Sequence, residues 1–117
     1  MKSILVADDD KAILDALSLF LEDAGYAVTT TTRGEDVRMM HEKFPDIILL
    51  DIWMSGSDGG EICAYLKSKK RTKSIPIILF SANRDTAKIA QETGADDYIE
   101  KPFNLEELLE KIERITH

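Results

Sequence analysis

A single cysteine, Cys63, stands in a chain of 117 residues, so no disulfide can form within it. That scarcity fits a reducing, cytoplasmic setting. Apolar runs last only a few residues, far short of the ~20 needed to cross a bilayer. A secretory signal is excluded as well, because Met1-Lys2-Ser3-Ile4 leads quickly into the acidic triplet Asp8-Asp9-Asp10. Positive charge is in deficit: 15 Lys and Arg face 22 Asp and Glu, a net charge of −7. Such a chain is a poor non-specific ligand for nucleic acid or an anionic membrane, so neither is expected as a direct partner. Internal repeats, low-complexity stretches and linkers are absent. What is present is ordinary globular composition, 44% hydrophobic and 32% charged. The length suits one domain across residues 1–117, with no room for a second.

Two kinds of segment alternate. Short apolar runs at 4–7, 26–28, 47–50, 75–80 and 98–99 predict five strands. Ile47-Ile48-Leu49-Leu50 and Ile75-Pro76-Ile77-Ile78-Leu79-Phe80 are almost continuously apolar, as in strands buried on both faces of a parallel sheet. Pro76 lies near the start of its run, where a missing N–H is tolerated. Helical spacing fills the intervals. Ile13, Leu17, Phe20 and Ala24 run up to a stop at Gly25. Val37, Met40 and Phe44 run up to Pro45, with Thr32 and Glu35 as a capping box. Ile62, Tyr65 and Leu66 make a third stripe, and Ala87, Ile89 and Ala90 a weaker fourth that closes at Gly94. Leu105, Leu108, Leu109, Ile112 and Ile115 make the last, headed by Asn104 and Glu107 as a second capping box. A strand–helix unit repeated five times predicts an α/β fold, a doubly wound parallel sheet with right-handed crossovers.

In such sheets ligands bind outside the carboxyl ends of the strands. Asp8 and Asp9, with Asp10 behind them, follow the first run; Asp51 follows the third and Ser81 the fourth. Lys101 and Pro102 follow the fifth. Topology alone therefore gathers carboxylates, a hydroxyl and an ammonium at one edge. Crowded carboxylates attract a hard cation, and oxygen-only donors favour Mg2+ or Mn2+. No His or Cys lies near these positions, which argues against zinc. A carboxylate beside such a cation can attack a phosphoryl group and form an acyl phosphate. Lys101 could pair with one phosphoryl oxygen and Ser81 could donate to another. Each residue also has a plainer role open to it: Asp9 or Asp10 as a helix cap, Asp51 and Ser81 in turns, Lys101 on the surface. The agreement of four strand ends carries the functional reading.

The ordered set Val6-Ala7-Asp8-Asp9-Asp10, Ile47-Ile48-Leu49-Leu50-Asp51-Ile52-Trp53-Met54, Asp58-Gly59, Phe80-Ser81-Ala82, Gly94-Ala95-Asp96-Asp97-Tyr98 and Lys101-Pro102-Phe103 resembles the receiver domain of bacterial two-component response regulators. The resemblance covers essentially the whole chain. It implies a flavodoxin-like (βα)5 fold of strand order 2-1-3-4-5, which brings Asp8, Asp9 and Asp51 face to face. It implies that Asp51 is the phosphoacceptor and that Asp8 and Asp9 are the acid pair of an Mg2+ site. Asp9, Asp51 and the backbone carbonyl of Trp53 would be the direct ligands. Ser81 would contact the phosphoryl group and Lys101 would pair with it, next to a cis Lys101–Pro102 bond. Trp53 and Asn83 would flank the phosphoryl group. Tyr98 would swing inward as Ser81 turns, altering a face made by the fourth helix, fifth strand and last helix. That face would carry Lys88, Gln91, Glu92, Tyr98, Glu106 and Glu110.

The implied function is a signalling switch. It would take a phosphoryl group from a sensor histidine kinase or phosphotransfer protein, and catalyse only its own phosphorylation and dephosphorylation. Its altered face would act on a downstream effector, an output domain or a second copy in a homodimer. Two other readings compete. A phosphatase of the haloacid dehalogenase type also uses a strand-end Asp and Mg2+, but needs an acid two residues after the nucleophile, where this chain has Trp53. A binding module that has lost phosphorylation would not keep all five site residues. One departure stands out: family members usually carry proline where this chain has Ser55, within Met54-Ser55-Gly56-Ser57-Asp58-Gly59. The Gly- and Ser-rich segment predicts a looser loop with the site chemistry intact.

Overall fold

A computed structural model of the chain describes residues 1–82 and 84–116. Its main elements are β1 (Ser3–Ala7), α1 (Lys11–Asp23), β2 (Ala27–Thr31), α2 (Gly34–Arg38), β3 (Ile47–Asp51), α3 (Gly59–Ser68), β4 (Ile77–Ser81), α4 (Thr86–Thr93), β5 (Asp97–Glu100) and α5 (Leu105–Thr116). The five strands form one sheet in the order β2-β1-β3-β4-β5. Every neighbouring pair is parallel. This is the α/β, doubly wound arrangement that the alternation of the sequence predicts.

The continuous apolar runs behave as sheet physics requires. Ile47 to Leu50 and Ile77 to Phe80 are buried throughout, because helices cover both faces. One face packs Ile48, Leu50, Ile77 and Leu79 against Val37, Ile62, Cys63, Leu66 and Ala90 of α2, α3 and α4. The other packs Val6, Leu49, Ile78, Phe80 and Ile99 against Leu14, Leu17, Leu21, Leu108 and Ile112 of α1 and α5. Alternate residues of one strand thus serve two cores, as a period of two dictates.

Helix ends follow local chemistry. Asp10 is the N-cap of α1, its carboxylate accepting the N–H groups of Ala12 and Ile13. This settles the choice between Asp9 and Asp10: Asp10 caps, and Asp9 is left for other work. Asp58 caps α3 in the same way, through Gly60 and Glu61. Gly94 ends α4 at a φ of 83°, where a side chain would be strained. Asn104 accepts the N–H of Glu106 at the head of α5, rather than that of Glu107.

The fourth strand, Ile77–Ser81, starts two residues later than its apolar run, leaving Ile75 and Pro76 before it. Two further elements differ more from expectation. β2 runs from Ala27 to Thr31 rather than 26–28. It is an edge strand, so the β-branched threonines Thr29, Thr30 and Thr31 extend it without needing burial. The second helix is one short stretch, Gly34–Arg38, and does not reach Pro45. Its capping box is not formed: Arg33 occupies the N-cap with no side-chain cap bond. Thr31 instead accepts the Arg33 N–H and donates to Asp36. Met40 and Phe44 still pack on the core, but from irregular backbone that includes Lys43 at a φ of 53°. Pro45 disfavours helical geometry at Phe44, and core burial satisfies the apolar stripe without a helix to carry it.

Candidate functional site

The order of the strands sets β1 beside β3, with Ala7 level with Leu50. Their carboxyl ends therefore deliver Asp8, Asp9 and Asp51 to one place. One ligand oxygen from each lies within 4.8 Å of the others. Asp8 and Asp51 are buried, at 1% and 4% exposure, while Asp9 faces solvent. Two buried carboxylates need a counter-charge. Lys101 supplies it from the end of β5, its Nζ 3.0 Å from Asp8 Oδ2 and 3.8 Å from Asp51 Oδ1. Asp8 Oδ1 also accepts the Asp10 N–H at 2.9 Å.

The carboxyls are electrostatically distinct. Burial, reinforced by the charge of Asp8, pushes the Asp51 pKa up to about 6; the Lys101 charge and a backbone hydrogen bond from Trp53 oppose that rise. Asp9 is held below the usual carboxylate range, first by the Ser55 N–H and then by the Ser55 hydroxyl, both of which it accepts. These two bonds, 2.9 and 3.0 Å long, end on the same oxygen, Asp9 Oδ2. They correct the expectation of a looser loop. The segment closes as a two-residue antiparallel ladder, Trp53–Met54 with Ser57–Asp58, around a turn in which Gly56 has a φ of 74°. Serine can tie this turn to Asp9 because, unlike proline, it has an N–H and a hydroxyl to donate.

A cluster of carboxylate oxygens without nitrogen or sulfur donors fits a hard divalent cation. The ammonium beside it fits the recognition of an anion such as a phosphoryl group. Residues 4–113 match the response regulator receiver domain family. The chain belongs to that family. Receiver domains are signalling domains, the phosphorylation-dependent switches of two-component systems. This receiver is 38% identical over 117 residues to the transcriptional regulatory protein GltR of Pseudomonas aeruginosa, covering 97% of the chain and 48% of that protein. It therefore spans about half the length of the curated relatives it matches. Among solved structures, a response regulator from Chloroflexus aurantiacus aligns with a TM-score of 0.90 at 31% identity, over 98% of this chain and 97% of that one. The receiver domain of a sensor histidine kinase from Pseudomonas aeruginosa, described with a magnesium ion in its active-site cleft, aligns with a TM-score of 0.88 at 25% identity, over 98% and 97%.

The other predicted residues fall around this centre. Ser81 is buried at the end of β4, one residue beyond Phe80, which is level with Asp51. The Lys101–Pro102 bond is cis. Trp53, two residues beyond Asp51, is 52% exposed. Asn83 lies outside the described residues. Tyr98 points outward at 36% exposure, and Lys111 Nζ sits 5.9 Å from its ring centroid. Lys88, Gln91, Glu92, Glu106 and Glu110 are exposed, and the α5 side chains that line the groove beside β5 are Glu107 and Lys111. The acids Asp96 and Asp97 are structural: Asp96 bonds Lys67 at 2.7 Å and Asp97 bonds Lys111 at 3.2 Å. The contacts of Ser55 with Asp9 and of Gly59 with the end of β3 have no local signature in the sequence. A small polar residue after Met54 gives no sign that it will meet Asp9, and Gly59 announces itself only by the cap residue before it. Among the described residues, no helix is long and apolar enough to cross a membrane.

Proposed function

We propose that Asp51 is the phosphoacceptor of this receiver and that Asp8, Asp9, Asp51 and the Trp53 carbonyl serve an Mg2+ site, which Mn2+ could also fill. The convergence of the three carboxylates beside Lys101 carries the reading. An Asp51 oxygen attacks phosphorus, the P–N bond of a donor phosphohistidine breaks, and an acyl phosphate forms as the imidazole leaves. Bound Mg2+ would supply charge neutralisation between the carboxylates and the incoming phosphoryl oxygens. Lys101 already reaches both buried acids, so a short movement lets its ammonium pair with the phosphoryl group. Ser81 donates its hydroxyl to a second oxygen, and Tyr98 then moves inward beside it. The donor is a sensor histidine kinase or a phosphotransfer protein. The chain catalyses only its own phosphorylation and dephosphorylation. The α4–β5–α5 face carries the change to an effector, an output domain or a second copy. The magnesium described in the Pseudomonas kinase receiver supports the cation. Cys63, free and buried, fits a cytoplasmic setting for residues 1–117 as one receiver domain.

Incubation with Mg2+ and acetyl phosphate should add a single phosphoryl group, seen by intact mass spectrometry and mapped to Asp51. EDTA should prevent it. Labelling at another residue, or labelling indifferent to EDTA, refutes the assignment. With Mg2+ and beryllofluoride, amide shifts at Ser81 and Tyr98 should move together; a silent Tyr98 refutes the coupling. Trp53 hydrogen-bonds Asp51 through its backbone and is half exposed, so its fluorescence should change as Mg2+ is titrated. A flat titration at concentrations that raise the melting temperature would exclude Trp53 from the site.

A further inference from the structure

We propose that Ser55 is a positioning residue of the cation site, holding Asp9 in its ligand geometry before the cation arrives. The inference rests on the reading of the Asp8, Asp9, Asp51 cluster as an Mg2+ site. Asp9 is exposed, and an exposed carboxylate samples several rotamers in water. Here it does not stand alone: the N–H and the hydroxyl of Ser55 both donate to it, at 2.9 and 3.0 Å. Both bonds end on Oδ2, so Oδ1 takes part in neither. The platform is itself fixed. Trp53 pairs with Asp58 and Met54 with Ser57 across the turn, and the Gly59 N–H donates to Ile52 O at 2.7 Å. A ligand carboxylate is thus anchored to a closed turn that reaches back across the sequence.

Two effects of such bonds oppose each other. Hydrogen bonds draw charge from a carboxylate and compete with a cation for its lone pairs. They also remove the cost of ordering the ligand when the cation binds. Because one oxygen takes both bonds, competition is confined to it, while the orientation gained applies to the whole carboxylate. Orientation therefore dominates, as for hydrogen-bonded ligands of metal sites generally. A proline at this position has neither donor, so serine gives this receiver a support that the usual residue lacks.

The test is Mg2+ titration by calorimetry, without phosphodonor, on wild type, Ser55→Ala, Ser55→Pro and Ser55→Thr, with metal-free melting temperatures as the control for folding. Ser55→Ala keeps the N–H and should bind Mg2+ several-fold more weakly. Ser55→Pro loses both donors and should bind about tenfold more weakly or worse. Ser55→Thr keeps both and should match wild type. In an Asp9→Asn background, Ser55→Ala should have no further effect. Unchanged or tighter binding by Ser55→Ala while wild type binds Mg2+ overturns the role of Ser55 and leaves the cation site standing; so does a Ser55→Thr as weak as Ser55→Ala. Failure of wild type to bind Mg2+ at all overturns both.

Discussion

Replacing Asp51 by Asn is expected to abolish labelling by acetyl phosphate and, in EDTA, to raise stability at neutral pH. The first effect follows from removing the attacking oxygen's charge. The second follows from the carboxyl's raised pKa. Its ordinary value is 3.8 and burial beside Asp8 lifts it to about 6 in the folded chain. Between those values the folded state binds more protons than the unfolded one, so this group's contribution to stability falls as pH rises from about 4 to about 6. Above that window the ionised carboxylate is a standing cost, which asparagine does not carry. The shift corresponds to roughly 3 kcal/mol at most; a cleft open to water reduces that to about 1–2 kcal/mol. Melting in EDTA at pH 7.5 should therefore be higher for Asp51→Asn by roughly 5 °C, and the difference should vanish below about pH 4. Lys101 is not orphaned in the variant, because Asp8 remains 3.0 Å away. Saturating Mg2+ should reverse the order, stabilising wild type by mass action and Asp51→Asn little. A variant less stable than wild type in EDTA at neutral pH would contradict the raised pKa.

A methyl group at Gly59 should do more damage than any other single carbon added near the site. Gly59 opens α3 directly behind Asp51, and its N–H donates to Ile52 O at 2.7 Å. A Cβ there would run into the carbonyl oxygen of Asp51 and come within 2.8 Å of Ile52 Cα. Both obstacles are backbone, so neither can swing aside. Either α3 moves off the sheet or the end of β3 moves. We expect Gly59→Ala to cost about 3 kcal/mol, the upper part of the usual range for overpacking. That corresponds to a fall in melting temperature of roughly 10 °C or more. Labelling of Asp51 should slow as well, because the residue that shifts is the acceptor itself. Gly60→Ala is the control, since its Cβ would meet side chains and no backbone: Ile89 Cγ2 at 3.0 Å, Asp58 Oδ1 at 3.1 Å and Thr93 Cγ2 at 3.8 Å. Its melting should fall much less. Equal loss in the two variants would show that helix-terminus propensity, not the approach of α3 to Asp51, sets the requirement for glycine.

Most of the fold was legible because its determinants are local in sequence. A strand buried on both faces must be apolar at every position, and Ile47–Leu50 and Ile77–Phe80 are. The acids at the strand ends were legible for a related reason: in a parallel sheet all carboxyl ends share one edge, so the order of residues along the chain already groups Asp8, Asp9, Asp51, Ser81 and Lys101. α2 is shorter than its apolar stripe because a stripe of period 3.6 records which side chains are buried, not which backbone buries them. Met40 and Phe44 reach the core from irregular chain.

The layering of the domain, the edge that holds the site and the chemical character of that site can all be read from the chain, since each depends on residue type and on position within one element. Tertiary structure alone decided the rest. It set the raised pKa of Asp51, because that depends on how close Asp8 and Lys101 come and how much water remains. It assigned Asp96 and Asp97 to ion pairs with Lys67 and Lys111, away from the site. It joined Ser55 to Asp9 across 46 residues of chain. Hydrogen bonds act over about 3 Å, and no local pattern encodes which distant atoms will come within that reach.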